Sequence, residues 1–132
     1  MATYVTDTHA LIWYAHGRAK KLGRRARAAF ERTEEGHGTI YVPVVALVEL
    51  LENVRRGRIP FSVPVREWVD DLFASGDFVP AELTVDVVLA AEDLYSIRER
   101  GDRLIAATAV ALGLPLITRD EAMSVPGVDV VW

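Results

Sequence analysis

Residues 104–112 are apolar almost all the way round, which predicts a buried helix whose first turn begins at Asp102. Gly113 ends that helix. The short apolar run at residues 114–118, interrupted only by Pro115, predicts a buried strand with Asp120 just past its carboxyl end. The start of the chain repeats the design: residues 2–6 read as a strand, Asp7 follows, and residues 10–15 start a helix. Three aspartates thus fall at strand ends or helix starts.

The remaining periodicity fills in the same alternation. Residues 18–35 predict an exposed helix with Ala26, Ala28, Ala29 and Phe30 among its charges, and residues 39–42 a second strand. Pro43 suits a first helical position, after which Val44, Leu47, Val48, Leu51 and Val54 recur as one apolar stripe until Gly57. Residues 65–74 predict an amphipathic helix with Trp68, Val69 and Leu72 inward, and residues 77–80 a third strand. Thr84 caps a helix expected to run to about Arg98, buried through Val87, Val88, Ala91, Leu94 and Tyr95. A helical turn at residues 121–123 and a strand at 128–131 finish the chain. Strands alternating with helices imply an α/β fold with a mostly parallel sheet flanked by helices, in which ligands bind beyond the carboxyl ends of the strands. At 132 residues and 51% hydrophobic content, one domain spanning residues 1–132 is expected.

Composition narrows the chemistry. With no cysteine and three histidines, thiolate and zinc sites are disfavoured, and any metal would be held by oxygen. No signal peptide or membrane-length apolar run is found, so a cytoplasmic protein is expected. Residues 1–66 carry eleven Lys and Arg against six Asp and Glu, while the net charge of the whole is −4. That asymmetry permits a basic strip beside an acidic pocket, although solvated helix faces produce the same counts.

On this fold Asp7, Asp102 and Asp120 converge on the carboxyl edge of the sheet, joined by Glu49 from the helix after the second strand. Such a set suits Mg2+ or Mn2+ acting on a phosphate substrate. Taken singly, each aspartate is equally a helix cap and Glu49 a solvated surface residue. An aspartyl phosphatase would want a second aspartate where His9 stands, and no glycine-rich phosphate loop or Ser/His pairing is present. His9 and His16, on one expected helix, read as ordinary exposed or core histidines.

The stretches Asp7-Thr8-His9-Ala10-Leu11-Ile12-Trp13, Val48-Glu49-Leu50, Arg55-Arg56-Gly57-Arg58-Ile59, Asp102-Arg103-Leu104-Ile105-Ala106-Ala107-Thr108-Ala109 and Leu116-Ile117-Thr118-Arg119-Asp120-Glu121 resemble, in order, the PIN-domain ribonucleases and more narrowly the VapC toxins. The resemblance implies a five-stranded parallel sheet and a Mg2+- or Mn2+-dependent endoribonuclease toxin that hydrolyses RNA phosphodiesters with cation-activated water. It also implies a VapB-type antitoxin partner and a homodimer. It places Asp7, Glu49, Asp102 and Asp120 at the acidic metal positions and Thr118 as the strand-end hydroxyl beside them. Arg18, Arg24, Arg25, Arg56 and Arg103 are available for RNA phosphates. Two departures stand out. Glu99 and Arg100 replace a common aspartate and proline, which is expected to weaken a second metal position, and Val42 and Pro43 stand where a serine often opens the helix. Three other readings use the same fold: an RNA-processing PIN nuclease that is no toxin, a phosphohydrolase of small phosphates, and a non-catalytic protein-binding module.

Overall fold

In the computed structural model, which describes residues 2–132, five parallel strands form one sheet in the order β3-β2-β1-β4-β5. The strands are β1 (Ala2–Thr6), β2 (Gly38–Pro43), β3 (Phe78–Ala81), β4 (Leu116–Ile117) and β5 (Val130–Val131). The helices are α1 (Thr8–Ala15), α2 (Arg24–Glu34), α3 (Val44–Arg55), α4 (Val65–Ala74), α5 (Val85–Ala90) and α6 (Arg100–Leu112). The chain builds outward from β1 through β2 to β3, then crosses to lay β4 on the other flank of β1. The order reverses there, so a crevice opens between the carboxyl ends of β1 and β4. Asp7 directly follows β1, and Thr118 and Asp120 follow β4.

Two cores cover the two faces of the sheet. One packs α6, α5 and Ile97 against Val5 and Leu116; the other packs α1, α2 and α4 around Phe30, Ile40, Val42 and Ile117. The predicted buried helix is α6, with Ile105 to Ala109 buried in succession, and Gly113 ends it in the left-handed region at φ +68°.

Four expectations are corrected. The helix over residues 18–35 is broken: a 3-10 turn at Ala19–Lys21 precedes α2, because buried Leu22 and Gly23 lie between. Gly23 is needed there, since an added Cβ would stand 2.5 Å from the backbone of Trp132. Nor is α2 simply exposed, because Ala26, Ala29, Phe30 and Thr33 are buried.

The stripe of α3 is rotated. Ala46 and Leu50 are its buried residues, while Val48 and Leu51 are 55% and 45% exposed. Small Ala46, packed in the core beside α6, lets the helices approach closely. One residue of offset turns a helix by about 100°. Pro43 ends β2 and precedes α3 rather than opening it.

The helix begun at Thr84 stops at Ala90 and continues only as a 3-10 turn, Ala91–Leu94. Val87, Ala91 and Leu94 are buried as expected, but Val88 and Tyr95 are exposed and Ile97 is buried in their place. The reversal is tied down by Arg103, whose guanidinium donates to the Ile97 carbonyl at 2.9 Å and covers the Tyr95 ring at 4.2 Å. No glycine or proline marks that break in the sequence.

Finally, α6 starts two residues before Asp102, and its N-cap is Glu99.

Candidate metal centre

The buried corner of the crevice is Asp7. Strand pairing fixes its backbone, with its N–H donating to the Ile117 carbonyl at 3.1 Å. Its side chain caps α1 by accepting from the Ala10 N–H at 2.8 Å. The other carboxylate oxygen accepts from the Thr118 hydroxyl at 2.6 Å. That hydroxyl in turn accepts from the Asp120 N–H at 3.1 Å, so Thr118 couples the ends of β1 and β4. Asp120 caps the 3-10 turn Glu121–Met123 by accepting from the Ala122 N–H at 2.9 Å. Capping and site membership therefore coexist in Asp7 and Asp120.

The opposite wall comes from α3 and α6. The rotation that exposes Val48 turns Glu49 into the crevice, where its carboxylate accepts from the Thr8 hydroxyl at 2.7 Å. Glu99 accepts from the N–H groups of Gly101 and Asp102, at 3.0 and 2.6 Å. One carboxylate oxygen from each of Glu49, Glu99 and Asp102 lies within 4.8 Å of the others. Gly101 makes this approach possible, because a Cβ there would fall 2.7 Å from the Glu49 Oε2.

Electrostatics reports the crowding. Burial, then Glu99, Asp120, Glu49 and Asp7, push the Asp102 carboxyl up to about 7. Burial also raises Asp7, opposed by the Thr118 and Ala10 hydrogen bonds. Glu49 rises chiefly through burial, opposed by the Thr8 hydrogen bond and reinforced by Glu99. The donors are all oxygen and close together, and their charge is uncompensated by any nearby Lys or Arg ion pair among the described residues. A hard divalent cation fits that set.

Asp7, Glu49, Asp102 and Asp120 thus gather at one crevice, with Asp7 and Asp120 outside the tight trio and buried Thr118 behind them, hydrogen-bonded to both. Thr8, Glu99 and Gly101 complete it. Glu99 carries a carboxylate into the trio despite being a departure from the common motif, and its spacing three residues before Asp102 is the cap spacing that could have revealed it. Arg103 is occupied by the Ile97 carbonyl and Tyr95. Arg119, whose guanidinium stacks 4.8 Å from the Trp13 ring centre, lines a cavity of about 360 Å3 together with Asp7, His9, Trp13 and Asp120. A larger cavity, about 520 Å3, opens between α1, α2 and α4 and is lined by none of Asp7, Glu49, Glu99, Asp102 and Asp120.

The sequence matches the PIN domain family over residues 4–127. It is 27% identical to Ribonuclease VapC22 of Mycobacterium tuberculosis over 123 residues, covering 93% of this chain and 91% of that protein. The structure resembles a chain of VapBC2 from Rickettsia felis bound to a promoter DNA fragment, with TM-score 0.70, 14% identity and coverage of 98% and 97%. It also resembles a chain of a toxin-antitoxin complex from Klebsiella pneumoniae, with TM-score 0.61, 22% identity and coverage of 100% and 97%. At these identities the structural likeness is one of fold.

Proposed function

The chain belongs to the PIN domain family, and on that premise we propose that it is a divalent-metal-dependent endoribonuclease, the toxin of a toxin-antitoxin pair. The observation that carries this reading is the convergence of Asp7, Glu49, Glu99, Asp102 and Asp120 on one crevice, with Asp102 raised to about 7 by burial and its acidic neighbours. Likeness to a VapC ribonuclease supports RNA as substrate, and likeness to chains of VapBC complexes supports an antitoxin partner.

Glu49, Glu99 and Asp102 would hold Mg2+ or Mn2+, with Asp7 and Asp120 at the margins. A cation bound there supplies a Lewis acid for the phosphodiester and lowers the pKa of attacking water. The chain's own residues do the rest. Thr118 fixes Asp7 so that its carboxylate keeps one orientation, and Thr8 does the same for Glu49. Arg119, beside Asp120 and on the rim, is placed to bind a phosphate of the substrate. Bases must be unpaired to reach side chains in such a crevice, so loops or single strands are the expected targets.

Exposed apolar side chains remain for partners: Val85, Val88 and Leu89 on α5, and Val48 and Leu51 on α3. They support an antitoxin contact and a homodimer. No helix among the described residues is long and apolar enough to cross a membrane.

The test has two arms. Production of the chain alone should arrest bacterial growth, and co-production with the product of the adjacent antitoxin gene should relieve the arrest. Purified protein should cut RNA at few positions with Mg2+ or Mn2+ and stop when EDTA is added. Cleavage that persists in EDTA, or abundant folded protein with normal growth and no cleavage, would overturn the proposal.

A further inference from the structure

A second cavity, about 290 Å3, adjoins the acid crevice and is lined along one side by His9, Ile12, Trp13 and His16. These positions, spaced 3, 4 and 7 residues from His9, are one face of α1 continued onto its C-cap His16. At 1.5 Å per residue the face runs about 10 Å from His9 to His16, starting from the helix end that Asp7 caps. His9 and Trp13 also line the cavity holding Asp7 and Asp120, so the two cavities share a wall.

Each remaining wall supplies a different chemistry. Ile12, Trp13 and Ile59 are flat or apolar, whereas Arg18 and Arg58 bring cations. Asn53 donates one amide hydrogen to the Glu49 carbonyl at 2.9 Å, leaving its oxygen for a ligand. His16 has a buried Nε2 with no hydrogen-bond partner. Burial, then Arg18, lowers the His16 pKa, so the ring is neutral at pH 7 and presents one donor and one acceptor. An apolar plane, paired donors and acceptors at its edge, and cations at the rim match the parts of an unpaired nucleotide: base face, base edge and phosphate. A volume of about 290 Å3 is near the lower bound of small-molecule pockets and admits one base, not a duplex.

We propose that this cavity receives one unpaired nucleotide of the RNA next to the cleaved bond and sets the base preference of cutting. The inference rests on the endoribonuclease reading and deepens it.

The experiment uses the full chain carrying Asp102→Asn, which removes cutting, and fluorescein-labelled oligoribonucleotides made only of A, C, G or U, with anisotropy as readout. The parent should bind one of the four about tenfold more tightly than the weakest. Ile12→Trp, which fills the cavity, and His16→Ala, which removes the edge contact, should each bring all four affinities within about twofold of one another. Arg58→Gln should weaken all four alike and keep the preference, because phosphate contacts position while base contacts specify. Equal binding of all four by the parent would overturn the proposal, as would a preference that survives both Ile12→Trp and His16→Ala. If those variants keep the preference but no longer co-purify with the adjacent gene's product, the cavity belongs to a protein partner and the proposal is likewise overturned. Wild-type cleavage of RNA in the same assays separates the two readings: cutting without a subsite loses only this inference, and no cutting with any divalent metal loses the nuclease as well.

Discussion

Asp7 and Asp102 are carboxylates of the same crevice, held in opposite ways. Asp7 is 4% exposed, and each of its oxygens has a donor, one on α1 and one on Thr118. Asp102 is half-buried, accepts no hydrogen bond among the described residues and faces Glu49 and Glu99. The sheet corner is satisfied without a ligand, whereas the helix corner stores repulsion that only a proton or a cation relieves. A satisfied ligand gives fixed geometry, and an unsatisfied one gives affinity.

The largest effects should fall on cleavage. Asp102→Asn and Glu49→Gln should each lower the RNA-cutting rate by about a hundredfold or more in saturating Mg2+. Glu99→Gln keeps one of the two accepting cap oxygens and removes the charge, and should cost about 10- to 100-fold. Undiminished cutting by Glu99→Gln in single-turnover assays would show that the helix corner does not act as a trio.

Stability should move in opposite directions at the two corners. Thr118→Val strips a donor from Asp7 and an acceptor from the Asp120 N–H, costing about 1–3 kcal/mol in urea unfolding. Asp102→Asn should instead stabilise the metal-free protein. Its folded-state pKa of about 7 lies above the usual carboxylate value, so between about pH 4 and 7 the folded state binds more protons than the unfolded one. This group's stability is complete below about pH 4 and is lost as pH rises through 7. Solvent screening at the half-exposed group holds the expected gain to about 1–2 kcal/mol at pH 8, with none near pH 4. Equal effects at both pH values would remove the crowding from the account.

The smallest effect tests Gly101. A helical Gly→Ala change is worth up to about 1 kcal/mol of stability, but here the new Cβ meets the Glu49 carboxylate. Gly101→Ala should leave the melting temperature in EDTA nearly unchanged and weaken Mn2+ binding in calorimetry by about tenfold. Shortening the acid with Glu49→Asp in the same chain should recover part of that loss.

How much of this was legible beforehand differs between the corners for a physical reason. Asp7, Thr118 and Asp120 sit at the ends of apolar strands followed by helical turns, so local pattern alone placed them at the edge of a parallel sheet. The helix corner depends on tertiary rotation. The apolar stripe assigned to α3 points outward at Val48 and Leu51, and Glu49 enters the crevice only because Ala46 lets α3 lie close to α6. Periodicity alone put Glu49 in solvent; its place beside the three aspartates came from the acidic set as a whole and from the resemblance. Glu99 and Gly101 escaped both, since one is an uncommon cap and the other acts through a side chain it lacks. The break after Leu94 was also invisible, because it rests on Arg103 reaching back six residues.

If the crowded acids form a cation site, melting of wild type and Asp102→Asn at pH 8, each in EDTA and in saturating Mg2+ or Mn2+, will reveal it. In EDTA the variant should melt higher, because one of the repelling charges is gone. With metal at ~100 times its dissociation constant the wild type should gain about 2.7 kcal/mol and overtake the variant, which gains far less. Four coincident melting curves, or a cation that stabilises both proteins equally, would contradict the account and leave Asp7 and Asp120 as helix caps.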